Sequence, residues 1–134
     1  MTAANEFVPP TGTVVLLSAD ETGASGTASN LAAKSYNLAA NTYSLIIIRA
    51  EVGLSTAVNA ENNVRFEVKV GGVIKTSTRL WFPATGASDR FQVTGPLTWS
   101  ESIQVATVIS IGVTVVTGVG FWFIENLYVY GVLA

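Results

Sequence analysis

The chain has no cysteine and no histidine, and charged side chains make up only 12% of its 134 residues. These absences exclude a Ser-His-Asp triad, a cysteine nucleophile, and a metal held by thiolate or imidazole. They also exclude a disulfide framework, so a hydrophobic core must hold the fold. A chain of this length is one domain, able to bury roughly two thirds of its unfolded surface. A cysteine-free chain is compatible with any redox compartment. Cationic residues are sparse and single, at Lys34, Arg49, Arg65, Lys69, Lys75, Arg79 and Arg90, and the net charge is -2. No cluster could follow a phosphate backbone, so nucleic acid is not an expected partner. The first residues lack a basic start leading into an apolar block, and the expectation is a protein made and folded in the cytoplasm.

An apolar helical stripe is also missing. Between Glu101 and Glu125 no side chain is charged, which meets the length of a membrane-spanning helix. The pattern inside that stretch has period two, however: Ile103, Val105, Thr107, Ile109, Ile111, Val113 and Val115 are all β-branched, while the alternate positions are Gln104, Ala106, Val108, Ser110, Gly112, Thr114 and Val116. Alternation belongs to a strand with one face in a core, and no membrane contact is expected.

What the chain has in quantity is β-branched residues: Val, Ile and Thr together number 41. Residues 1–12, with Pro9-Pro10, read as an extended N-terminal arm preceding a domain over 13–134. Thr13 to Leu17 is a first strand and Asp20 to Asn30 a polar loop. Ser35 to Leu38 and Tyr43 to Val52 read as a strand interrupted by a turn at Ala39 to Asn41, apolar on both faces, with Tyr43, Leu45 and Ile47 on one and Ile46, Ile48, Ala50 and Val52 on the other. Val64, Phe66, Val68 and Val70 alternate with Arg65, Glu67 and Lys69. Gly71-Gly72 then predicts a two-residue hairpin. The return strand sets Ile74, Thr76, Thr78, Leu80 and Phe82 against Lys75, Ser77, Arg79 and Trp81. Phe91 and Val93 mark a brief strand that Gly95-Pro96 should stop, and Leu97 to Trp99 is too short to assign. A last strand runs from Phe121 to Val132 with a bend at Glu125-Asn126. The expected fold is all-β: an antiparallel β-sandwich of about eight strands.

This order of features resembles the single jelly-roll domains of virion surface and capsid-associated proteins, the sandwich type also seen in TNF-like and C1q-like trimers. The residues that carry the resemblance are Ser35 to Ser44 running into Leu45-Ile46-Ile47-Ile48, the Val70-Gly71-Gly72-Val73 hairpin, Leu97 to Ile103, and Asn126-Leu127-Tyr128-Val129-Tyr130-Gly131-Val132. It implies a single jelly roll over roughly residues 13 to 133, with the Tyr43–Val52 strand beside the Phe121–Val132 strand. It further implies a bacteriophage or other virion structural protein: a decoration, spike-base or vertex subunit made in the host cytoplasm. Such a subunit acts by homo-oligomerisation, as a trimer or pentamer, and by binding other capsid proteins. Expected subunit-interface residues are Ile46, Ile48, Phe121, Trp122, Phe123, Tyr128 and Tyr130.

The alternative is a carbohydrate-binding β-sandwich, with Trp81 and Trp99 as stacking platforms and Arg79 beside the first. No enzyme is expected. The surviving catalytic arrangement is a carboxylate pair, Glu51 with Glu67 or Asp20 with Glu21, and neither has a supporting motif. Asp20-Glu21-Thr22 and Glu61-Asn62-Asn63 offer oxygen ligands without the spacing of a calcium loop, so neither a metal nor another cofactor is expected.

Overall fold

A computed structural model describes residues 8–56, 61–83, 91–118 and 121–134. Its elements are nine strands: β1 (Val14–Asp20), β2 (Ala24–Gly26), β3 (Asn30–Leu38), β4 (Leu45–Thr56), β5 (Asn62–Val70), β6 (Val73–Phe82), β7 (Phe91–Glu101), β8 (Thr107–Thr117) and β9 (Phe121–Val132). There is no helix among the described residues. A front sheet has the order β1-β9-β4-β7, with short β2 also pairing β9, and a back sheet has the order β3-β8-β5-β6. Every pairing is antiparallel. Leaving β2 aside, eight strands divided this way form a single jelly roll, and the two apolar strands lie side by side as expected, Leu45 opposite Val132 through Ser55 opposite Phe121.

Alternation fills the space between the sheets. Ile46, Ile48, Ala50, Val52 and Leu54 of β4 and Trp122, Ile124, Leu127 and Val129 of β9 meet Val64, Phe66 and Val68 of β5 and Ile109, Ile111 and Val113 of β8. Their side chains are essentially closed to solvent, Trp122 included at 2% exposure. The Gly71-Gly72 hairpin is present, with φ of +59° and +81°, values that glycine adopts without strain. Glu125 is an extra residue in β9: Glu51 faces Asn126 while Val52 faces Ile124. This bulge keeps both halves of the strand aimed inward.

Two expectations change. Gly95-Pro96 does not stop a strand, because β7 runs through it for 11 residues and includes Leu97 to Trp99. β7 is the edge of the front sheet, where a proline without an N–H can turn its nitrogen to solvent. The Asp20–Asn30 loop contains β2 and leads into β3, which begins at Asn30 rather than Ser35 and belongs to the opposite sheet from β4, so the two are separate strands and not one interrupted strand. At the described end of the arm, Pro10 O accepts from Thr13 N at 3.1 Å, and Gly12 N donates to Leu133 O at 2.8 Å. The rest of the arm, residues 1–7, lies outside the described residues.

Candidate functional site

The outer face of the back sheet carries a polar array. Arg65 Nε donates to Glu67 Oε1 at 2.8 Å, Thr114 Oγ1 donates to the same oxygen at 3.0 Å, and Lys69 Nζ is 3.9 Å from Glu67 Oε2. Glu67 is nearly buried, at 3% exposure, although its face looks outward. Gly112 explains this: it faces Glu67 across the ladder, and its missing side chain lets Leu31 O and the Lys69 stem lie close over the sheet. Lys69 Nζ closes the cover with a 3.1 Å bond to Leu31 O.

Beyond that array, toward the far end of β5 and β6, Asn63 faces Trp81 and Arg65 faces Arg79. The hairpin positions these pairs, with a register shift between Val68 and Lys69. Trp81 is 52% exposed. Arg79 is exposed and makes no hydrogen bond or ion pair with any described residue. Asn63 Oδ1 is buried without a hydrogen-bond partner among the described residues. A flat indole, an uncommitted guanidinium and an unsatisfied carbonyl oxygen therefore sit on neighbouring positions of an edge strand pair. Arg79 and Trp81 were legible as one strand face; Asn63 was not, because its contribution depends on the register.

Trp99 does not join them. It lies on the inner face of β7 opposite Ile48, packed against the core, and its Nε1 donates to Glu101 Oε1 at 3.2 Å. Lys75 Nζ stands 3.5 Å from the same Glu101 oxygen. The expected second platform is thus an internal prop at the β6–β7 side of the sandwich.

The front sheet presents a different outer face. Cross-strand rows place Val14, Val132 and Leu45 together, then Leu16, Tyr130, Ile47 and Ser100, then Ala19, Tyr128, Arg49 and Thr98. Val14 and Leu16 are more than half exposed. Tyr128 and Tyr130 stack with centroids 6.4 Å apart, and Tyr128 Oη donates to Glu21 Oε1 at 3.0 Å, which raises the phenol above its ordinary pKa. A shallow groove of about 380 Å³ lies against Leu45, Ile47, Thr98, Trp99 and Ser100. Of the expected interface residues, Phe121, Phe123, Tyr128 and Tyr130 are on this face. Ile46, Ile48 and Trp122 are not: they point into the core, and Trp122 Nε1 donates to Ala28 O at 2.8 Å. Three successive aromatics are accommodated because alternation sends the middle one inward and the flanking two outward.

The carboxylates considered for catalysis are kept apart. Glu51 is on the front outer face and Glu67 on the back one, with the core between them. Asp20 turns to Lys34, whose Nζ is 2.6 Å from Oδ2 and also donates to Thr22 O, whereas Glu21 turns to Tyr128. The Lys34 hydrogen bond holds the Asp20 carboxyl below its ordinary pKa. Among the described residues no three Asp or Glu side chains converge as a metal site would require. Asp20 Oδ1 instead accepts from Thr22 N at 3.1 Å, an ordinary turn contact.

No protein-family model matches the chain, and no curated protein matches it in sequence. Among solved structures, the chain is similar to the C-terminal domain of EclA, described as a sugar-binding protein, at 10% identity and a TM-score of 0.46, over 94% of this chain and 83% of that one. It is also similar to a family 35 carbohydrate binding module from Clostridium thermocellum, at 13% identity and a TM-score of 0.43, over 87% of this chain and 97% of that one. Neither description names a virion protein.

Proposed function

We propose that the chain is a non-catalytic carbohydrate-binding β-sandwich that holds a sugar ring against Trp81. The observation that carries this reading is the half-exposed indole on an edge strand, with the exposed Arg79 two residues before it on the same strand face. An indole face suits the C–H face of a pyranose, which is apolar in the middle and ringed by hydroxyls. Arg79, with no partner among the described residues, supplies donors to the opposite side of the ring. Because β6 is an edge strand, a glycan chain can pass the platform without meeting a further strand.

A glycan array followed by calorimetry on the best binder tests this. Trp81→Ala should weaken binding at least tenfold while leaving the circular dichroism spectrum and melting unchanged, since the indole is half in solvent. Retained affinity in that variant would sink the proposal.

A second reading, a virion structural subunit, is favoured by one observation: the aliphatic rows Val14–Val132–Leu45 and Leu16–Tyr130–Ile47 on the front outer face. Co-purification of the chain with intact particles would favour that reading over the first.

A further inference from the structure

We infer that the front outer face is a docking surface for a second copy of this chain, related by a two-fold axis lying across the strands at the level of Ala50 and Leu127. This inference is separate from the glycan reading, since Trp81 is on the other sheet.

The argument comes from the registered rows of β4 and β9. Along β4 the outward positions are Leu45, Ile47, Arg49, Glu51, Gly53 and Ser55, and their β9 partners are Val132, Tyr130, Tyr128, Asn126, Phe123 and Phe121. A two-fold axis in the plane of contact reverses one copy's strands over the other's. With the axis at Ala50, Arg49 of each copy faces Glu51 of the other, twice. Ile47 and Tyr130 then face Gly53 and Phe123, and Leu45 and Val132 face Ser55 and Phe121. The aliphatic end of one copy meets the aromatic end of the other, and each cation meets an anion. Gly53 adds to the fit, because the far end of the Phe123 ring occupies the space above it and fills the gap a missing side chain would leave.

Within one chain Arg49 and Glu51 make only a loose pair, 3.7 Å apart and well exposed. Both groups are therefore available to a neighbour. The front sheet's β1 of 7 residues, β4 and β9 of 12 each and β7 of 11, spaced about 4.8 Å apart, give roughly 700 Å² of face, close to the roughly 800 Å² per partner of a stable interface. Two twisted sheets of this kind pack at about 10 Å with their strands within about 30° of alignment. Aliphatic rows with few hydrogen-bonding groups suit another protein face better than a sugar.

Sedimentation velocity at micromolar concentrations provides the test. The wild-type chain should sediment with the mass of two copies. Arg49→Glu alone and Glu51→Arg alone should each weaken association at least tenfold, because every facing pair becomes like-charged. An equimolar mixture of the two variants should recover the two-copy mass, since in a mixed pair both acidic side chains of the first variant face both basic side chains of the second. Both substitutions are at the surface, and unchanged circular dichroism would verify the fold. A wild-type monomer at every concentration, a three- or five-copy species, or a mixture that stays monomeric would each overturn the inference.

Discussion

Gly53 lies in the interior of β4, where a glycine ordinarily weakens a strand, and the Phe123 ring occupies the space in which a side chain would stand. A Cβ added at residue 53 would lie closer than van der Waals contact to three Phe123 ring carbons, and Phe123 is directly opposite on the ladder. Gly53→Ala should therefore push the ring into solvent. Relative to glycine, alanine gains about 0.5–1 kcal/mol from a less mobile unfolded chain. The forced displacement costs about 1–3 kcal/mol, so the net effect is a loss of up to about 2.5 kcal/mol, centred near 1 kcal/mol. In a Phe123→Ala background the obstruction is gone and the same substitution should stabilise by about 0.5–1 kcal/mol. Urea denaturation of the four chains closes the double-mutant cycle, with an expected coupling of about 2 kcal/mol. If Gly53→Ala has the same sign in both backgrounds, the ring is not what reserves that position for glycine.

Asp20 is held below its ordinary pKa by Lys34, so its contribution to stability is complete above pH 3.8 and is lost as pH falls through the lower folded value. Asp20→Asn should remove that part of the acid-side decline, read as a flatter stability profile below pH 4 in urea titrations. Trp122→Phe keeps an aromatic in the core but deletes the donor to Ala28 O, and should cost about 1–2 kcal/mol in chemical denaturation. Glu67→Gln removes the charge shared by Arg65, Lys69 and Thr114, and should cost about 1–3 kcal/mol, with less loss at high salt than an exposed pair would show.

Much of the architecture was legible because period-two alternation is a local property. Ile109, Ile111 and Val113 could be assigned to a core from spacing alone, and Gly71-Gly72 marked its turn. The register was harder. Counting outward from the hairpin pairs Trp81 with Asn62, but the shift between Val68 and Lys69 moves its partner to Asn63. A single irregularity thus decides which amide lies beside the exposed indole, and it has no signature in the sequence. The direction of Trp99 was hidden for a related reason: its β7 strand contains Gly95 and Pro96, and only its place at a sheet edge lets the strand continue through them. Burial of Glu67 depends on the Leu31 backbone, far away in sequence, settling over Gly112. The β4 strand was readable as apolar on both sides, yet nothing local separates the core set from the outward one. Ile46 and Ile48 turned inward while Leu45 and Ile47 remained near the surface.

Pro96 bears on more than the reading of one strand. A free sheet edge is a template on which further strands can add without limit, each new copy exposing the edge for the next. A residue with no amide hydrogen in the middle of β7 interrupts that template, because an incoming strand finds a missing donor midway along its length. Lateral growth into fibrils is discouraged on that side. Association by faces, which closes on itself and stops, is the course this edge leaves open.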